Sequence, residues 1–339
     1  MKNMNPRNTP STNSDSARQA VDRETSRVHQ NAVIRFHAQW LLLILIMLPL
    51  MADAQEASVQ PSAAHDRAFW QAIVKQQYAV PKGESPFSLV RELSDLLGSP
   101  DPELRDNLAF PIIAVWILDR PVLSEAQLLT FLDQWLAHLR NGIGESGTDT
   151  VLGRSFSTLC LAALAERDLK TPFLGVARYR GLLDAALTYL AAERDLRGYD
   201  QAKGWMHATA HTADLLKYLM RNSLLTGDDQ RRVLVAIADR LSSAGQVFSQ
   251  GEQDRLAQAV VSIARRRDFD AATFDRWIIG LRDTIRQAWG TSSLTSATLA
   301  TAQNTTYFLQ ALYVRLSMEN LTGDAVASHA AVLTAMRPR

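Results

Sequence analysis

Residues 193–220 read ERDLRGYDQAKGWMHATAHTADLLKYLM, and the change of character halfway along decides how the chain is to be folded. The first part is polar and carries Gly198 and Gly204 on either side of a turn. From Trp205 to Met220 the spacing becomes helical. At 100° per residue, His207, His211, Asp214 and Tyr218 fall within an arc of roughly 60°, by the i, i+3, i+4 rule. Trp205, Ala208, Leu215, Leu216 and Leu219 form a second stripe. The stretch therefore predicts a helix that buries one face and offers a chemically dense one.

Outward from it, the same period recurs. His65-Asp-Arg opens a helix carrying Phe69, Trp70, Ile73 and Val74, closed by Pro81 and Gly83. Pro86–Leu97 and Leu104–Leu118 follow, and Pro111 predicts a kink in the latter. Further helices are expected at Ser124–Arg140, Thr148–Arg167, Phe173–Glu193, Trp205–Arg221, Asp228–Ala244, Glu252–Arg267, Ala271–Trp289, Leu294–Met318 and Asp324–Met336. Their connections are short and carry Gly, Pro, Ser or Asp, which makes successive helices antiparallel neighbours. With 16 Gly, 12 Pro and few alternating β-branched runs, the expectation is an all-α fold. It takes the form of an αα-superhelix, a HEAT-like helical-pair solenoid over residues 66–336, with a closed helical toroid as the alternative.

Composition sets limits on function. The chain is 47% hydrophobic and 21% charged, with a net charge of +1, so it has a core and no electrostatic footprint for nucleic acid. Residues 1–34 are polar and aperiodic and are expected to be a disordered extension. Residues 35–54 have a basic flank, a short apolar core and the small residues Ala52 and Ala54, the parts of a signal peptide cleaved between Ala54 and Gln55. Residues 55–65 read as a linker. Such signals start near their basic flank, so translation is expected to begin near Val33. The protein is then periplasmic or secreted; the alternative is an inner-membrane anchor at residues 40–52, which are fewer than the ~20 that a bilayer span needs. Cys160, the only cysteine, sits in an apolar helical run, where it is a core residue and can form no intrachain disulfide.

The segment Gly204-Trp-Met-His-Ala-Thr-Ala-His-Thr-Ala-Asp resembles the GW-x-H-x-x-AH-x-AD signature of a bacterial family, the domain of unknown function 2785. Leu104–Ala109, Gly153–Ser157, Glu193–Tyr199, Gly251–Ala257 and Asn304–Tyr313 resemble it as well, in order, over residues 85–316. The resemblance implies an all-helical fold and no assigned activity. It marks Arg105, Asp106, Arg154, Ser155, Glu193, Asp195, Tyr199, Trp205, His207, His211, Asp214, Glu252 and Asn304 as the distinctive polar set.

What these residues can do is read in three ways. As a metal site, His207 and His211 at i, i+4 can share one Zn²⁺, with the missing ligands to come from Glu193, Asp195, Asp200 or a facing helix; no cofactor is firmly implied. Asp214 stands about 10.5 Å further along the axis than His207 and serves instead to orient His211. As a hydrolase site, His207, His211 and Asp214 carry out proton transfer beside Glu193 and Asp195, with Tyr199 and Trp205 stacking on a sugar ring. As a buried network, Arg105, Arg154 and Arg197 pair with Asp106, Glu193 and Asp195, and Asp214 takes a His211 N–H. Ser155 has no base near it in sequence and no nucleophile elbow, so it carries no hydrolase expectation. The expected function is an exported helical protein that binds a small ligand or a protein partner on a concave surface, through Trp205, Tyr199, Glu193, Asp195, Arg154, Glu252 and Asn304. The hydrolase is the alternative.

Overall fold

The computed structural model describes residues 65–336. The expected N-terminal extension, the signal segment and its cleavage point between Ala54 and Gln55 lie outside these residues. Those described belong to one compact unit, Pro61–Arg339. They form twelve α-helices, one π-helical segment and a two-residue-per-strand hairpin, so the fold is all-α.

The helices are α1 (Arg67–Lys75), α2 (Pro86–Leu96), the π segment Glu103–Ala109 running into α3 (Phe110–Leu118), α4 (Glu125–His138), α5 (Thr150–Lys170) and α6 (Gly175–Ala192). The hairpin strands β1 (Tyr199–Asp200) and β2 (Gly204–Trp205) come next. Then follow α7 (Ala208–Leu219), α8 (Gly227–Ser243), α9 (Glu252–Ala264), α10 (Ala271–Trp289), α11 (Ser296–Ser317) and α12 (Asp324–Met336). Starts are set by local chemistry. Ser124 and Thr226 each close a capping box with the residue three further on, which satisfies N–H groups that the first turn leaves open.

Neighbour order is regular. In one row α3, α5, α7, α9 and α11 each pack on the next, and in a second row α6, α8, α10 and α12 do the same. Chain neighbours such as α4 with α5, α6 with α7 and α10 with α11 join the rows. Helices that alternate between two rows bury a continuous core between them, which holds Trp116, Phe156, Leu161, Leu183, Leu216, Val260 and Phe308. No helix among the described residues is long and apolar enough to cross a membrane.

Two departures from the sequence reading matter for the site. At Pro111, where a kink is expected, the turn ahead of the proline is widened: the Phe110 N–H donates to the Arg105 carbonyl five residues back. Proline has no N–H, and its ring would strike the carbonyl four residues earlier; the π segment just before it relieves that conflict. The other departure is the start of α7, expected at Trp205 and found at Ala208. Tyr199 pairs with Trp205 and Asp200 with Gly204, and the Met206 and His207 N–H groups donate to the Gly198 and Arg197 carbonyls. The backbone of 205–207 is therefore spent on the hairpin. His207 sits in the left-handed region, at φ 51°, ψ 32°, before the helix begins. Consequently His207 and His211 do not share a helix face by i, i+4 spacing.

Candidate functional site

Every helical residue of the distinctive set lies in the first row. The π segment carries Arg105 and Asp106, α5 carries Arg154 and Ser155, α7 carries His211 and Asp214, α9 begins with Glu252, and α11 carries Asn304. The segment 193–207 crosses between these helices and ties them together.

Its first half is a set of ion pairs. Arg154 holds the Glu193 carboxylate through two N–H groups, at 2.7 and 3.1 Å, and spends a third on the Asn141 carbonyl at 2.7 Å. Glu193 also accepts the Asp195 N–H at 2.9 Å. Asp195 is clasped by Arg197 Nη2 at 2.6 Å and by the Gly147 N–H at 2.9 Å. Burial opposes its charge, but these partners hold its carboxyl below the usual range. Both carboxylates are almost fully buried. They act as anchors for the loop, and charge-assisted bonds of this kind are the strong ones.

The hairpin is held from the other side. Arg105, wholly buried, donates to the carbonyls of Ser99 (2.5 Å), Lys203 and Trp205 (3.3 Å), and its guanidinium lies 4.9 Å from the centre of the Phe156 ring. Its Nε stands 2.7 Å from Asp106 Oδ1, yet neither atom has a hydrogen-bond partner, so the contact is an ion pair with misdirected N–H. The Trp205 N–H reaches Asp106 Oδ2 at 3.3 Å. Burial pushes the Asp106 carboxyl up to about 6, against the pull of Arg105. Gly204, at φ +72°, fits closely here: a Cβ would come within 2.8 Å of Asp106 Oδ2 and of Pro102 Cβ.

A run of rings leads inward from the surface. Tyr199, 52% exposed, meets Trp205 edge-on at 5.0 Å; Trp205 stacks on His207 at 4.7 Å; His207 meets His211 at 5.7 Å; and His211 meets Phe156 at 5.1 Å. Hydrogen bonds fix the tautomers of both imidazoles. His207 Nε2 faces the Gln250 carbonyl at 3.0 Å, which only accepts, so Nε2 carries the proton and Nδ1 the lone pair. Glu252 Oε1 lies 3.6 Å from the same Nε2. The Ser155 hydroxyl has one proton and gives it to the Met206 carbonyl. His211 Nδ1, 2.8 Å from Ser155 Oγ and 3.3 Å from the Ser155 carbonyl, is then the donor, and Nε2 bears the lone pair. Burial, followed by the charge of Arg255, pushes His207 down to about 4. Burial and then His207 push His211 well down as well. Both rings are neutral at pH 7.

Asp214 belongs elsewhere. Its carboxylate pairs with Arg255 from α9 and with Lys217 Nζ at 3.3 Å. The expected Asp214–His211 bond does not form, because Arg255 from α9 and Lys217 of α7 itself outcompete an imidazole already engaged by Ser155. Conversely, Ser155 has a base beside it after all, supplied by a helix 56 residues further on. The polarity is wrong for a nucleophile, since the serine proton is committed to a carbonyl and Ser155 is fully buried. Asn304 is a clamp for the loop after α8: it accepts the Phe248 N–H at 2.8 Å and donates to the Gln246 carbonyl at 2.9 Å. Glu252 accepts the Gln250 N–H at 2.8 Å, and burial raises its carboxyl. Among the described residues no group of three or more His, Cys, Asp or Glu side chains is arranged to hold a metal ion.

Sequence reasoning missed Arg255, which neutralises Asp214, and Gln250, which sets the His207 tautomer. Arg265–Arg267 follow α9, where cations ordinarily serve the end of their own helix. Arg266 instead donates to the Met220 and Asn222 carbonyls, at 2.9 and 2.7 Å, and so caps α7. No signal in the sequence pairs these residues, which lie 40 or more positions apart.

Fold and site together define an all-helical protein in which one inter-helix loop is pinned by a buried polar network. The chain belongs to a family of proteins of unknown function, DUF2785, which it matches over residues 139–314. The π segment with Arg105 and Asp106 lies before the matched region. No curated protein and no solved structure matches the chain.

Proposed function

We propose that this is an exported α-helical binding protein whose ligand is a neutral, ring-bearing molecule of the saccharide type, taken up at the hairpin of residues 199–207. The observation that carries the reading is the aromatic ledge. Tyr199 is more than half exposed and stands at the outer end of the Tyr199–Trp205–His207 ring series, although a loop held by so many buried bonds could easily have hidden it. Rigid rings at the edge of a fixed loop are low-entropy platforms for stacking. The neutral imidazoles behind them favour a neutral ligand over an anion or a cation.

The hydrolase alternative loses its carboxylate relay, since Asp214 is committed to Arg255 and Lys217. A His pushed down to about 4 is also a weak base at neutral pH.

The test is a titration with soluble cello-, chito- and malto-oligosaccharides, followed by calorimetry and by tryptophan fluorescence. Saturable binding to the wild type that falls at least tenfold in both Tyr199→Ala and Trp205→Ala supports the reading. Unchanged binding in both variants, or no heat with any of the three series, overturns it.

A further inference from the structure

Four arginines and two carboxylates belong to the loop 193–197 and its surroundings. Arg154 is matched by Glu193 and Arg197 by Asp195. Two cations are left over. Arg240, in the last turn of α8, is 3% exposed and makes a single hydrogen bond, from Nη2 to the Glu193 carbonyl at 3.1 Å. No carboxylate pairs with it among the described residues, and its Nε is buried without an acceptor. Arg194, the residue that follows that carbonyl, is exposed and also unpaired among the described residues. Its charge bears on Arg240. The Tyr189 hydroxyl, from the last turn of α6, is buried at the same junction against the Arg154–Glu193 pair.

A guanidinium taken out of water without a counter-charge is strongly disfavoured. The chain shows the cost: burial pushes Arg240 down to about 10 even though the Glu193 charge favours the cation. Glu193 cannot supply full compensation, because both its oxygens already serve Arg154 and one also takes the Asp195 N–H. A surplus of two guanidinia, one buried and one exposed, has the donor chemistry that recognises an oxyanion.

We propose that Arg240 and Arg194, at the junction of α6, α8 and the 193–197 loop, bind the carboxylate or phosphoryl group of a small anionic ligand, at a site separate from the aromatic ledge. Arg240 supplies the fixed, desolvated contact. Arg194 supplies capture from solvent.

Titration of the purified chain with inorganic phosphate and, separately, with acetate tests this by thermal melting and calorimetry, each against sodium chloride at matched ionic strength. The expected result is a saturable rise in melting temperature beyond the chloride control, absent in Arg240→Gln and weakened several-fold in Arg194→Ala. Whichever probe saturates at the lower concentration names the source, phosphoryl or carboxylate. Arg194 is exposed, so its variant folds and keeps the test valid if Arg240→Gln does not. Arg240→Met adds a control, because without ligand it should melt no lower than the wild type once an unpaired buried cation is replaced by an apolar chain. A rise that is equal in wild type and Arg194→Ala, or that chloride reproduces, means an adventitious ion only and overturns the proposal.

Discussion

At the scale of single residues, the site is a set of groups whose charges are decided by burial. Asp106 and His207 titrate in overlapping ranges with opposite consequences. Asp106 is raised from 3.8 to about 6; the folded state binds its proton more tightly, so its contribution is present below pH ~4 and fades as pH rises through 6. His207 is lowered from 6.5 to about 4, so its contribution is present above pH 6.5 and fades as pH falls through 4. Each shift corresponds to ~3 kcal/mol across its window. His211 is displaced in the same direction as His207, which gives the imidazoles the larger share. Stability of the wild type should therefore fall from pH 6.5 to pH 4. Urea midpoints across that range should fall more steeply in Asp106→Asn, which removes the opposing group, and less steeply in His207→Gln. Parallel slopes in all three proteins would show that neither group is buried as described.

Asp214 makes a second prediction at this scale. Replacing it by Asn leaves Arg255 and the buried Lys217 without their carboxylate, and removing one partner of a buried pair costs on the order of 3 kcal/mol. In a double-mutant cycle with Arg255→Met the second change should recover part of that loss, with a coupling of roughly 1–3 kcal/mol. Additive losses would mean that the two side chains do not meet. The ion pairs of Arg105, Arg154 and Arg197 were legible in the sequence, since charged residues amid apolar helices must be neutralised and the partners stood close in the chain or in the same distinctive set. Arg255 was not legible: nothing about a residue 41 positions away says which carboxylate it faces.

At the scale of elements, periodicity located each of the twelve helices and failed at the one that matters most for the site. Residues 205–207 fit a helix by type and by spacing. They are withheld from it because Gly204 turns the chain back with a positive φ and His207 follows in the left-handed region, a conformation that a side chain leaves readily unless its surroundings fix it. The hairpin is thus made by tertiary contacts with the π segment and α9, which no local pattern records. Gly204→Ala tests this arrangement. A methyl group would meet the Asp106 carboxylate and Pro102 at 2.8 Å, and at positive φ the substitution also strains the backbone, for a combined cost of about 1–3 kcal/mol. The expected signature is lower stability together with a changed Trp205 environment in near-ultraviolet circular dichroism, while the far-ultraviolet helical signal stays the same. Loss of helix in proportion to stability would place Gly204 in the core of the fold rather than at its loop.

At the scale of the whole molecule, the row of α3, α5, α7, α9 and α11 works as a spine in which each member touches the next, and the site spans its middle. Packing that is mostly between neighbours makes stability a sum of local terms, so damage at one end should fade with distance along the row. Cys160 is well placed to report on this. It lies fully buried in α5, burial raises its thiol well above the usual value, and it is the chain's only cysteine. Attack by a thiol reagent then requires opening of the structure around α5. The helix α12 buries Ala325, Val332 and Ala335 against α10 and α11, at the far end from α5. A chain ending at residue 322 should lose the protection of α10 and α11 in hydrogen exchange, while Cys160 labels at a rate within about tenfold of the full-length protein, a difference of ~1.4 kcal/mol. If labelling of Cys160 instead accelerates by the same factor as exchange in α11, the rows open as a single cooperative body, as a closed ring of helices would, and the site at their middle depends on both ends at once.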